Sequence, residues 1–96
     1  MKDVFFRALA SPYRGAIIKL LKGKNLNVDK IADKFEISQS FISRHLDVLK
    51  WSKIVMSERK VNQIIYSLNF SFLEEMHIEI TDLFGVNNKV KKENIV

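Results

Sequence analysis

Ile37 to Lys50 reads ISQSFISRHLDVLK, and a few residues later Ile54-Val55-Met56 and Ile64-Ile65-Tyr66 bracket the charged stretch Ser57 to Gln63. In the first string Ser38 is a helix cap, and Ile42, His45, Leu46 and Leu49 recur at the spacing of one helical face. Gln39, Ser40, Ser43, Arg44, Asp47 and Lys50 lie elsewhere around the cylinder, so the solvent face is polar and rich in hydrogen-bonding groups. After Lys53 the period changes, and short β-branched and aromatic runs predict a hairpin with a basic tip at Arg59 and Lys60.

Upstream, Asn27 can cap a helix in which Val28, Ile31, Ala32 and Phe35 form one buried face, with the turn beginning at Ile37. Ser11 and Pro12 open an earlier helix carrying Tyr13, Ile17, Leu20 and Leu21, expected to run to about Lys22 and stop at Gly23. A short first helix spans roughly Asp3 to Ala10, with Val4, Phe5 and Leu9 close together and Phe6 on the flank. Downstream, Asn69 caps a last helix whose apolar stripe is Phe72, Leu73, Met76, Ile80, Leu83 and Phe84, closed by Gly85. The order is four helices, a hairpin and a final helix: a mainly α, α+β winged helix-turn-helix.

Composition agrees with one small packed domain. The chain has 96 residues, 47% of them apolar, with three Gly and one Pro, which suits one packed domain. We assign that domain to residues 1–86 and a basic, flexible tail to 87–96, where three Lys oppose one Glu. Sixteen Lys and Arg against 11 Asp and Glu give a net charge of +5 and a pI near 9.6, which points to nucleic acid or an anionic membrane as the partner. The absence of cysteine excludes disulfides, thiolate metal sites and thiol switches. No apolar run is long enough to span a membrane and no signal-like segment opens the chain, so a cytoplasmic location is expected. There is no nucleophile paired with a base, no carboxylate pair suited to a cleft and no Gly-rich phosphate loop, which argues against an enzyme and against a cofactor.

A polar helix after a tight turn suits the major groove of double-stranded DNA, about 12 Å wide. Ser38, Gln39 and Ser40 at its start, with Ser43 and Arg44 one turn on, are the candidates to face base edges. Gln can pair with adenine and Arg with guanine, each good bidentate pair contributing roughly 1 to 3 kcal/mol of discrimination.

Four strings then make the chain resemble the ArsR/SmtB family of bacterial winged-helix repressors, which act as homodimers. They are Ala8-Leu9-Ala10-Ser11-Pro12-Tyr13-Arg14, LLKG from Leu20 to Gly23, Ile37 to Lys50, and IIYSLN from Ile64 to Asn69. The likeness covers about Val4 to Gly85, and the spacing is most similar to the SdpR-like autorepressors. It implies groove reading by Gln39, Ser40, Ser43 and Arg44, the last in place of a frequent His, and wing contacts to phosphates or the minor groove from Arg59 and Lys60. Arg14 matches the family's P-x-R element, and either a phosphate contact or an intramolecular salt bridge suits it. Glu36 and Val61 stand where the family has turn glycines. A left-handed backbone at either costs roughly 1 to 2 kcal/mol, so Asn62 is expected to take over at the wing.

The family's metal sites map onto other residue types here. Asn27 and Asp29 occupy the C-x-C positions, while Phe70, Phe72, Leu83 and Val86 occupy those of the last-helix Asp and His ligands. No metal is therefore expected, and the alternative is a non-standard site built from His77 with Glu74, Glu79 and Asp82. His45, on an apolar stripe, reads as a satisfied, partly buried histidine.

A chain this short does not easily bury two aromatic-rich terminal helices, so Val4, Phe5, Phe72, Leu73, Met76, Ile80, Leu83 and Phe84 are expected at a homodimer interface. A two-fold dimer implies an inverted-repeat operator, its half-sites about 34 to 36 Å apart. Trp51 is expected to pack. Relief of repression is left to an apolar ligand, a protein or membrane-protein partner, or autoregulation alone. The competing reading is a protein-interaction module on the same fold, binding DNA weakly and without sequence preference.

Overall fold

The computed structural model describes residues 2–85. Five helices and three strands follow in the order α1 (Lys2–Ala8), α2 (Pro12–Leu20), β1 (Leu26–Asn27), α3 (Val28–Phe35), α4 (Gln39–Trp51), β2 (Val55–Lys60), β3 (Gln63–Leu68) and α5 (Phe70–Phe84). This is the winged helix-turn-helix that the sequence predicts, and the basic tail lies outside the described residues.

The four expected caps form. Ser11, Asn27, Ser38 and Asn69 each accept a backbone N–H three residues on, satisfying donors that a helix start leaves unpaired. Gly85 closes α5 in the left-handed region, with φ of 66°.

Two helix ends come earlier than expected. α1 stops at Ala8 rather than Ala10, because Ser11 must be extended to cap α2 and precede Pro12, and the last turn tightens as Ala10 N donates to Arg7 O. α2 stops at Leu20 with Leu21 as its cap residue, not at Gly23, so Lys22 and Gly23 belong to the loop.

The hairpin is longer than the apolar runs indicate. Val55 pairs with Leu68 and the ladder continues to Lys60 with Gln63, so Arg59 and Lys60 are strand residues and the turn is Val61-Asn62. Val61, not Asn62, takes the left-handed backbone, with φ of 55°. Glu36 does likewise at 53°, ending α3 with Ile37 N donating back to Ala32 O. A third position, Lys53 at 70°, turns the chain from α4 into β2 and was not anticipated.

Nor was β1. Leu26 and Asn27 pair antiparallel with Tyr66 and Ile65, giving the sheet order β1-β3-β2 and fastening the wing to the start of α3.

The core gathers one face of each helix: Ile17 of α2, Ile31 of α3, Ile42, Leu46 and Leu49 of α4, and Ile54 before the wing are all fully buried. α1 and α5 close it from the side, where the Phe5 and Phe72 rings meet edge to face at 5.9 Å. Phe5 and Met76, expected at a dimer interface, are thus buried in the protomer's own core. Trp51, expected to pack, is 81% exposed, because α4 ends at that residue and turns its last side chain outward.

Candidate nucleic-acid interface

α4 is held from behind by its three buried aliphatic residues, and this sets which side faces out. Gln39, Ser40 and Arg44 are exposed and Ser43 half-buried, together on one side of the helix. Gln39 and Arg44 make no side-chain hydrogen bond or ion pair with the other described residues, so their donors and acceptors are unspent. Ser38, also exposed, is engaged in the cap: its Oγ accepts from Phe41 N at 3.3 Å and lies 3.5 Å from Ser40 Oγ.

On the wing, strand alternation separates the two cations. Arg59 is paired with Ile64 on the face that carries Tyr66, and it lines a cleft with Ser43 of α4 and Asn62 of the turn. Lys60 points to the other face, beside Glu58 at 3.9 Å, both side chains exposed. The basic tip read from the sequence is therefore divided, and Arg59 alone shares a surface with α4.

Side chains missed in the sequence fix the wing's angle. Asn27 Nδ2 donates to Gln63 Oε1 while Asn27 Oδ1 caps α3, so one residue ties the helix start to the base of the wing turn. The capping role was legible; the partner 36 residues away was not. Tyr66, half-buried between the wing and α4, has its pKa raised by burial and by the nearby Asp47 carboxylate.

Arg14 makes three contacts within the chain. Its Nε donates to Ala8 O at 2.6 Å, one terminal nitrogen donates to Arg7 O at 3.1 Å, and the other lies 3.2 Å from His45 Nδ1. These partners are backbone carbonyls and an imidazole, not the carboxylate of a salt bridge. His45 is half-buried, stacked at 5.7 Å on Tyr13 and 4.8 Å from the Phe41 ring centre. Burial first, and the Arg14 charge second, lower its pKa below the usual 6.5.

Charge is segregated across the fold. α5 carries Glu74, Glu75, Glu79 and Asp82 with neither Lys nor Arg, leaving the excess of basic residues to the remainder of the chain. Among the described residues no three His, Asp or Glu side chains come together, and His77 stands exposed on α5. The groups at the family's metal positions are otherwise occupied, Asn27 as a cap and Phe72 against Phe5. Among the same residues no helix is long and apolar enough to cross a membrane.

Comparison with known proteins agrees with this geometry. Residues 11–57, from the α2 cap into β2, match the family described as bacterial regulatory protein, arsR family. The transcriptional repressor SdpR of Bacillus subtilis is 40% identical over 70 residues, covering 73% of this chain and 78% of SdpR. The repressor SmtB of Mycobacterium tuberculosis is 36% identical over 62 residues, covering 65% of this chain but 46% of SmtB. In three dimensions, a homodimeric winged helix-turn-helix DNA-binding domain from Mycobacterium bovis superposes with a TM-score of 0.72 at 20% identity, over 86% of this chain and 77% of that one; this shows the shared fold. With its capped recognition helix, unspent polar face and wing, the chain belongs to the arsR family of bacterial transcriptional regulators, which are DNA-binding proteins and not enzymes.

Proposed function

We propose that the protein is a homodimeric repressor acting in the bacterial cytoplasm, without a metal, on an inverted-repeat operator that includes its own promoter. The carrying observation is the exposed face of Gln39, Ser40 and Arg44, in which the Gln39 and Arg44 side chains are unspent, with Arg59 on the adjoining side of the wing. In this reading the N-terminal half of α4 enters the major groove, where Gln39 and Arg44 read base edges and Ser40 and Ser43 fill in shorter contacts. Arg59 reaches the flanking backbone or minor groove; Lys60 and the Ser38 cap play smaller parts, and Arg14 acts from inside the protomer.

Dimerisation is assigned to the outer residues of α1 and α5. Val4, Phe72, Leu73 and Ile80 are half-buried, while Leu83 is 65% and Phe84 70% exposed, a concentration of apolar surface that a second copy would cover. The Mycobacterium bovis neighbour, described as homodimeric, supports this assembly. Phe5 and Met76 support the interface from beneath instead of touching the partner.

The test is fluorescence anisotropy with a duplex from upstream of the protein's own gene and a scrambled duplex, at one fixed salt concentration. A preference of roughly a thousandfold or more is expected. Arg44→Ala should then cost roughly 1 to 3 kcal/mol and relax selectivity at one base pair. Equal, weak and salt-sensitive binding to both duplexes would overturn the repressor reading in favour of a protein-docking module.

A further inference from the structure

We propose that Arg14 and His45 are positioning residues forming a lock that seats the recognition helix against the end of α1, and that the lock opens when His45 takes up a proton. This rests on the reading of α4 as the recognition helix.

The chemistry of the contact dictates the state of the imidazole. Arginine carries donors only, so the 3.2 Å approach of its terminal nitrogen to His45 Nδ1 requires a lone pair on Nδ1. His45 is then neutral and carries its proton on Nε2. The same guanidinium donates to the carbonyls of Arg7 and Ala8 at the end of α1, the former also accepting from Ala10 N. Three elements thus meet on one side chain: α1, assigned to the dimer face; α2, which supplies Arg14; and α4, which supplies His45. Arg's planar fork can serve all three acceptors at once, which lysine's single ammonium on a flexible stem is poorly suited to do.

Protonation at Nδ1 replaces the acceptor by an N–H aimed at a cation. The groups facing His45 are the Arg14 guanidinium and the Tyr13 ring from α2 and the Phe41 ring from its own helix. α1 contributes only backbone carbonyls, through Arg14, while Arg44 and Asp47 flank His45 along α4 and are exposed. The lowered pKa of His45 is attributed to burial and to Arg14. No carboxylate among these contacts is placed to stabilise an imidazolium, so proton uptake separates α4 from Arg14. His45 lies one residue beyond Arg44, and its release frees the helix that carries the groove-reading side chains.

The test uses the full chain, the tightest duplex it recovers from a random-sequence library, and a scrambled duplex of equal composition. As the pH is lowered from 7.5 through the His45 titration, the specific-to-scrambled affinity ratio should fall several-fold. His45→Gln, whose amide oxygen can accept from Arg14 without titrating, should flatten that profile; the same fall in the variant would overturn the lock, since His77 is still present in it. Independently of DNA, nitrogen NMR of the imidazoles should find His45 Nδ1 unprotonated at pH 7.5, and Arg14→Gln should raise the midpoint of its titration. A protonated Nδ1 at pH 7.5 would overturn the proposal even if the variants failed to fold. Recovery of no preferred duplex would instead overturn the repressor function, leaving the NMR result to decide the lock.

Discussion

Val61 occupies a backbone conformation its side chain disfavours. A β-branched residue with φ of 55° carries a steric cost of roughly 1 to 2 kcal/mol, and at 89% exposure it recovers little through burial. Val61→Gly should therefore stabilise the fold by about 1 kcal/mol, observed as a rise of roughly 4 to 8 °C in the thermal midpoint; an unchanged or lower midpoint would remove strain as a property of the turn. His45 supplies a second residue-level prediction. Its pKa is lower in the folded chain than the unfolded value near 6.5, so between the two values the native state holds fewer protons than the unfolded chain. The stability it contributes is present above about pH 6.5 and lost below it. Urea midpoints measured from pH 7.5 to 5 should show this loss in the wild type and less of it in His45→Gln. Of these details the sequence showed that Glu36 and Val61 replace turn glycines, but Asn62 was the natural candidate for the αL position. The ladder continuing to Lys60 and Gln63 decided otherwise, because it leaves Val61 at the first turn position.

At the scale of elements, the wing works as a lever whose angle is set at its base. Two backbone pairs to β1 and the Asn27–Gln63 side-chain bond join it to α3, and the Arg59 side of the sheet faces α4. Asn27→Ala removes the cap as well as the clasp and should cost about 1 kcal/mol of stability, within the range for lost helix caps. Gln63→Ala breaks only the clasp. It should leave the thermal midpoint nearly unchanged while weakening operator binding, a separation that melting and anisotropy together would detect. The division of the two wing cations can be measured as well. Arg59→Ala should reduce the salt dependence of binding by about one phosphate contact, and Lys60→Ala by less; equal effects would mean that both faces of the wing meet DNA. The helix caps behind this arrangement were legible because a cap is a local event within four residues. β1 was not, since a two-residue strand has no periodicity and exists only through Tyr66 and Ile65, far along the chain.

For the whole molecule, acidic and apolar surface is gathered on α5 and an exposed polar face on α4. The exposed Leu83 and Phe84 end the helix that carries four acidic residues, and the proposed dimer places a second copy there. Leu83→Glu combined with Phe84→Glu should shift the protein from dimer to monomer in sedimentation analysis without loss of helix content, and operator affinity should fall by at least about a hundredfold as paired half-site binding is lost. A dimer of unchanged mass would exclude the end of α5 from the interface.

Helix order, caps and the family were legible in the sequence alone, because each rests on local periodicity, capping chemistry or a contiguous motif. Which side chains those elements leave available was decided only in three dimensions. Arg14 turned inward because two carbonyls at the end of α1 and the lone pair of His45 converge on it. Phe5 and Met76 went to the core because α1 and α5 close over it, and Trp51 stayed in solvent because α4 ends there and turns its last side chain outward. Alternation along a ladder whose length the apolar runs understated sent Arg59 and Lys60 to opposite faces. In each case the deciding partner lies in another element, and its distance in sequence carries no signal of its proximity in space.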